Sequence, residues 1–333
     1  VTAFADIIDA AEEANFSGVV TIDRAGARLF EHCRGFAHRA HRIPITPATR
    51  FGIASGSKGF TALAVMRLVE DGALALDEPV RPVLGGSVPR IDDAITLHHL
   101  LTHSSGIEDY LDESEDWDPS DYVMTVPVHT LTTAEAFLPM LEGIGQATAP
   151  GERFEYSNAG FILLALILER TVGKPFHAII DRLVLRPAGM TDTGYLRLDD
   201  LPADAALGYL GEEGNRVNTL HLPVLGNGDG GAFTTAADLH AFWRALVDGR
   251  IVSRETVDRM TEPSWDVPEE GKSYGMGFWL EADGPGRILE GLDAGASFRS
   301  THDPDSQTTV SVLGNTAEGA WPVIAAAGRV PLS

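Results

Sequence analysis

Two short spacings in this chain bring together residue types that do acyl-transfer chemistry. Ser55-Gly56-Ser57-Lys58 places a hydroxyl and an amine three residues apart. On a helix that spacing puts both on one face, one turn apart, so the amine reaches the hydroxyl. A hydroxyl beside a base, at a helix start that favours a developing anion, is the recipe for an activated serine nucleophile. Tyr156-Ser157-Asn158 is the second constellation, a phenol and an amide two residues apart. With 17 serines but only three lysines (Lys58, Lys174, Lys272), roughly 0.15 S-x-x-K pairs arise by chance, and Y-x-N is about as rare. Either alone is compatible with Ser55 as a helix cap and Tyr156 as a packed ring; together they favour catalysis.

Rival constellations are weaker. Gly271-Lys272-Ser273-Tyr274-Gly275 matches the G-x-S-x-G nucleophile elbow. That elbow must follow a buried strand and open a helix. Here it follows the polar SWDVPEE and precedes the strand-like GMGFWLEA, so it reads as a glycine-rich strand entry. His99 and His103 are four apart but lack the Glu of H-E-x-x-H and a third ligand, so no metal is expected. With no P-loop and no dinucleotide fingerprint after a strand, no cofactor is expected.

These residues need elements to hold them. Ala3 to Ala14 reads as an amphipathic helix with Phe4, Ile7, Ile8 and Ala11 on one face, and residues 18–39 as a hairpin turning at Arg24-Ala25-Gly26. A helix of roughly 15 residues follows RFGIA and stops at Gly72. Residues from about 75 to 225 read as helix and loop, with the acidic stretch EDYLDESEDWDPSDY as a solvated loop or lid. Beyond Gly230 come the helix TTAADLHAFWRALVDG, the strands YGMGFWLEA, RILEG, ASFRSTHD and TTVSVLGNT, and a closing helix WPVIAAAGRV. Strands at both ends with helices between predict a sheet domain of residues 1–75 and 230–333 and an inserted, mainly helical domain of 76–229.

Composition limits the partners. The 333 residues carry a formal charge of −23 and 44% hydrophobic residues. That composition is ordinary for a globular protein, and its charge repels nucleic acid and anionic membranes. The longest apolar run, Ala159 to Leu168, is about half a membrane span. The single Cys33 excludes an intrachain disulfide and a cysteine-based metal site. The acidic start lacks a basic n-region, so no signal peptide is expected and cytoplasm is the default, although Val1 in place of Met allows for a leader already removed.

With these residues placed, the chain resembles the penicillin-recognising serine hydrolases. It is most similar to their class C β-lactamase-like branch, which includes esterases, D-aminopeptidases and DD-carboxypeptidases. The resemblance rests on six segments in the family's order: TRFGIASGSKGFTALAVMRLVEDGALALDEPV, LLTHSSGI, PGERFEYSNAGFILLALILERTVG, LRPAGMTDTGY, GDGGAFTTAADLHAF and THDPDSQTTVSVLGNT. It implies an α+β fold, an antiparallel sheet flanked by helices with a helical insertion. It also implies Ser55 as the acylated nucleophile, Lys58 and Tyr156 as its proton-transfer partners, and Asn158 orienting the site. Which of Lys58 and Tyr156 takes the proton stays open.

The third family motif departs. Relatives carry K-T-G or H-x-G on the strand lining the site. Anchoring on Gly295 and Asp303-Pro304 places Leu289-Glu290-Gly291 there, with the N–H of Leu292 joining that of Ser55 as the oxyanion hole. A shifted register uses Asp293-Ala294-Gly295 instead. In both registers the cation that grips a substrate carboxylate is missing, unless Arg287 or Arg299 replaces it. The resulting expectation is a carboxylesterase acting through an acyl-enzyme on a small-molecule ester. Amide hydrolysis or acyl transfer to an amine comes next, then β-lactamase or DD-peptidase activity, and last a non-catalytic ligand-binding protein. The oligomeric state is left open.

Overall fold

The computed structural model describes residues 4–111, 118 and 121–330. Most of the acidic stretch read as a loop or lid lies outside them. The chain opens with helix α1 (Ala5–Glu13), which buries Ile7 and Ala11. Strands β1 (Gly18–Arg24) and β2 (Ala27–Arg34) follow. Ala25 and Gly26 between them both have positive φ. That is the two-residue turn whose twist matches that of an antiparallel hairpin.

Helix α2 (Lys58–Glu70) is buried continuously from Lys58 to Met66. Being enclosed on all sides, it needs no polar face, which is why KGFTALAVM shows no amphipathic period. Helix α3 (Asn158–Val172) is likewise buried from Asn158 to Leu168 and ends on the left-handed Gly173. Between them lie short helices at Arg81–Leu84, Leu97–Leu101 and Leu138–Leu141. Helix α4 (Ala236–Val247) packs Phe242 edge-on against Phe60 of α2 at 5.3 Å.

The other strands of the main sheet are β3 (Trp265–Val267), β4 (Lys272–Tyr274), β5 (Trp279–Glu281), β6 (Arg287–Asp293), β7 (Ala296–Asp303) and β8 (Thr308–Gly314). They complete one antiparallel sheet in the order β2-β1-β8-β7-β6-β5-β4-β3. The N-terminal hairpin thus pairs with β8, Val20 opposite Val312, and the two ends of the chain build one sheet. On one face α1 and α5 (Ala320–Ala327) cover Val20, Ile22 and Val312. On the other, α4 docks on β7 through Trp243 Nε1 donating to Ser300 Oγ at 2.8 Å. A separate three-stranded sheet joins Phe51–Gly52, Ala232–Thr234 and Gly194–Tyr195 just before the Ser55 turn. Buried side chains of α2, α3 and α4 belong to one continuous core.

Candidate active site

Ser55 lies in a 3₁₀ turn, Ala54–Ser57, and α2 begins only at Lys58. The expected helical opening is therefore tighter than an α-turn. Ala54 has φ +44, a left-handed conformation that costs a non-glycine residue about 1–2 kcal/mol. Its neighbours hold it there. The Ile53 N–H donates to Ala232 O at 2.9 Å, the Gly231 N–H to Ala54 O at 3.2 Å, and Ser57 Oγ to Ala54 O at 2.9 Å. Lys58 is 2% exposed, and its Nζ lies 2.8 Å from Ser55 Oγ. The same nitrogen donates to Asn158 Oδ1 at 2.7 Å and to the backbone carbonyl of Asp229.

The start of α3 supplies the next group. Ser157 caps it, Oγ accepting from the Gly160 N–H at 3.1 Å. The Asp109 carboxylate takes the N–H groups of Asn158 and Ala159, the latter at 3.0 Å, and Asn158 Nδ2 at 3.2 Å. Asp109 thereby fixes the amide, nitrogen toward itself and oxygen toward Lys58. Desolvation raises the pKa of Asp109, and the N–H groups pull the other way. The Tyr156 ring lies 5.0 Å from Lys58 Nζ, 4.2 Å from the His103 ring and nearly parallel to Trp279. His103 Nδ1 accepts the Ser157 N–H at 3.1 Å. Burial, then the charge of Lys58, holds His103 well below the ordinary imidazole pKa. Buried in the core, its ring supports that of Tyr156.

Strand β6 closes the site. Strand β5 pairs with it only at Arg287 and Ile288, so its later residues meet the Ser55 turn. A Cβ on Gly291 would lie 2.3 Å from Ile53 O and 2.8 Å from the nitrogens of Ser55 and Gly56. Only glycine permits that approach. Ser55 and Leu292 line two spaces in common. One is a cavity walled by Leu111, Met124, Leu196, Leu198, Leu222 and Phe233, with Tyr110 and Asp229 beside the serine. The other is an open groove with Phe154, Tyr156, Trp279, Lys272, Glu290 and Arg299. Tyr110 donates its hydroxyl to Asp229. Desolvation raises the Asp229 pKa, against the pull of Lys58.

The structure thus brings Ser55, Lys58, Tyr156 and Asn158 together, with Gly291 and Leu292 beside them. Asp293 lines the apolar cavity and accepts the Ala294 N–H at 2.9 Å. Gly295, the anchor of the shifted register, has φ +71 and crowds Gly208 and Tyr209 rather than Ser55. Leu289 does not face the groove as an exposed replacement for a cation. It is 2% exposed and packs onto Gly59 of α2. Arg287 turns away toward Asp258, at 3.8 Å. Ser273 sits within β4 and donates to Asp266 Oδ1 at 3.0 Å, so its G-x-S-x-G is no elbow. His99 Nδ1 accepts the Thr96 N–H in a helix cap. Among the described residues no cluster of His, Cys, Asp or Glu is arranged to hold a metal. None of their helices is long and apolar enough to cross a membrane.

Sequence reasoning gave no role to Asp109, Tyr110, Asp229 and Glu290, and it counted Asp109 and Tyr110 in the solvated acidic stretch, whereas both are half-buried within the site. The signal for three of them was adjacency. Asp109 and Tyr110 directly follow LLTHSSGIE, and Asp229 lies inside GDGGAF.

Comparison with known proteins agrees with this geometry. The family model described as Beta-lactamase matches residues 4–331. Penicillin-binding protein 4* of Bacillus subtilis (strain 168) is 30% identical over 328 residues, covering 92% of this chain and 70% of that protein. Esterase EstB of Burkholderia gladioli is 36% identical over 193 residues, 54% of this chain and 46% of the esterase. Among solved structures, a penicillin-binding protein from Bacillus halodurans superposes with a TM-score of 0.90 at 38% identity, covering 97% of this chain and 99% of that one.

Proposed function

Because the chain belongs to the β-lactamase family of serine hydrolases, we propose that it hydrolyses carboxylic esters with neutral, apolar acyl groups through an acyl-enzyme on Ser55. The observation that carries this reading is the position of Ser55 Oγ. It is 2.8 Å from Lys58 Nζ, at the junction of a leucine-walled cavity and an open groove. The cavity takes the acyl chain and the groove takes the alcohol.

In the first step Ser55 Oγ attacks the ester carbonyl, and its proton passes to the Lys58–Tyr156 pair. Asn158 Oδ1 and the Asp229 carbonyl are obligate acceptors for two N–H bonds of Lys58. With those two directions occupied, the remaining position on Nζ faces the Ser55 hydroxyl at 2.8 Å. The N–H groups of Ser55 and Leu292 hold the oxyanion. The C–O bond to the alcohol then breaks, and the alcohol leaves with the proton. Water repeats the attack on acyl-Ser55 and releases the acid.

Two further observations bear on substrate choice. Both cations in the groove, Lys272 and Arg299, are engaged by Glu290, which disfavours substrates that present a carboxylate there. Glu108, Glu155, Glu269 and Glu270 on the groove's rim concentrate amines near the site. They favour acyl transfer to an amine as the second reading. Esterase activity in a relative such as EstB supports the first.

Intact-protein mass spectrometry after exposure to neutral esters, β-lactams and a fluorophosphonate tests this. Acyl adducts from the esters and a fluorophosphonate adduct, all on Ser55, are expected. Adducts from β-lactams alone would overturn it.

A further inference from the structure

Glu290 occupies the middle of the divergent third motif, immediately before Gly291, yet it does not point where Leu289 points. It stands opposite Arg299 across the β6–β7 ladder. Arg299 closes on its Oε2 through Nε and Nη2. Its Oε1 lies 2.6 Å from Lys272 Nζ, which arrives from β4. Two cations from two other strands therefore converge on one carboxylate. The Lys272 side chain is only 10% exposed and that of Glu290 14%, so water screens this cluster less than it would a surface ion pair. Lys272 Nζ also lies 4.8 Å over the Trp279 ring, which stacks parallel to Tyr156. One ring thus separates this cluster from the proton-transfer pair, and Glu290 shares both the groove and the narrow space beneath it with Ser55.

We propose that Glu290 sets the charge preference of the leaving-group groove by filling, from within the chain, the place a substrate carboxylate would take between Lys272 and Arg299. This rests on the esterase reading above for which substrates to use, though not for whether the anion site exists. A planar carboxylate held by a guanidinium and an ammonium is a complete anion site, and here its occupant is part of the protein. An anionic substrate must displace Glu290 and leave that carboxylate half-desolvated without partners, so it is rejected. Among the described residues Glu270 is the other acid on Lys272, at 3.4 Å, but it is half exposed and competes weakly. Neutral alcohols pay no such penalty. Glu290 is therefore a specificity residue: it leaves the attack on the carbonyl to Ser55 and decides which alcohols are admitted.

Glu290→Gln keeps the shape and removes the charge. The measurement is kcat/KM for phenyl butyrate and for its 4-carboxyphenyl analogue, in the wild type and E290Q. The wild type is expected to favour the neutral ester. E290Q should raise the carboxylate-to-neutral ratio by about tenfold or more, the range of one added charge-assisted hydrogen bond. K272M, which leaves Glu290 with one cation, should lower the ratio, and it keeps the test alive should E290Q fold poorly. A second arm needs no turnover: benzoate should protect Ser55 from fluorophosphonate labelling at about tenfold lower concentration in E290Q than in the wild type. A wild type that prefers the carboxylate-bearing ester, or a ratio and a protecting concentration unchanged in both variants, overturns the role of Glu290. Wild-type labelling without hydrolysis of either ester would refute the esterase reading alone, and the benzoate arm then decides the role of Glu290.

Discussion

Gly291→Ala isolates the contact between β6 and the nucleophile turn. Gly291 is not among the residues with positive φ, so alanine there carries no backbone strain of its own. The cost comes from crowding. The added methyl would sit 2.3 Å from Ile53 O and 2.8 Å from the nitrogens of Ser55 and Gly56. Ordinary contacts begin near 3.4 Å, and all three atoms are backbone, so none can rotate aside. Strand and turn must part by about 1 Å, a displacement able to cost 10²-fold when it separates catalytic groups. Because Ser55 and Leu292, whose N–H groups we propose as the oxyanion hole, adjoin this contact, parting them should weaken that hole, where one lost donor is worth about 3 kcal/mol. The expected result is kcat for a neutral ester lowered by about 10²-fold or more, with KM little changed because the leucine-walled cavity is untouched. Overpacking should also cost about 1–3 kcal/mol of stability, read as a lower Tm. A variant with wild-type Tm and kcat within about threefold of wild type would refute the placement of the oxyanion hole beside Gly291.

Ser55→Ala is expected to abolish fluorophosphonate labelling, and Ser273→Ala to leave it intact; the reverse pattern would move the nucleophile to β4. Lys58→Ala and Tyr156→Phe should each lower kcat by about 10²-fold or more. Their double variant should lose far less than the product, since groups acting as a unit are not additive; full multiplicativity in steady-state kinetics would separate their roles. Burial, then Arg287, holds His302 at about 4 against an ordinary 6.5. Between those values the unfolded chain takes up a proton that the folded one refuses, so stability falls as pH drops through that window, by up to about 3 kcal/mol. His98, His99, His103, His177 and His240 are lowered in the same sense. The test is therefore the difference between His302→Gln and wild type in urea midpoints from pH 7 to 4. Parallel curves would show that His302 does not contribute.

What was legible in the sequence was local. The S-x-x-K spacing is a statement about one helical turn, and it holds even though a 3₁₀ turn precedes α2, because Lys58 is still one turn beyond Ser55. Gly26 marks its own hairpin, since glycine adopts the positive φ of the turn freely, whereas Ala25 adopts it at a cost. Strand alternation correctly groups Arg287, Leu289 and Gly291 on one side of β6. Alternation does not say which side is buried. That was decided by packing: β6 lays Leu289 and Gly291 onto Gly59 and the Ser55 turn, which leaves Glu290 to face the groove. Its partners, Lys272 and Arg299, come from strands whose positions depend on the order of the whole sheet. Likewise Asp109 reaches Asn158 across 49 residues, and Asp229 reaches Lys58 across 171. Spacing along the chain encodes contacts within a turn or a hairpin, where covalent geometry sets the distance. Contacts between distant segments exist only once burying the common core has fixed how the sheet and its helices stack.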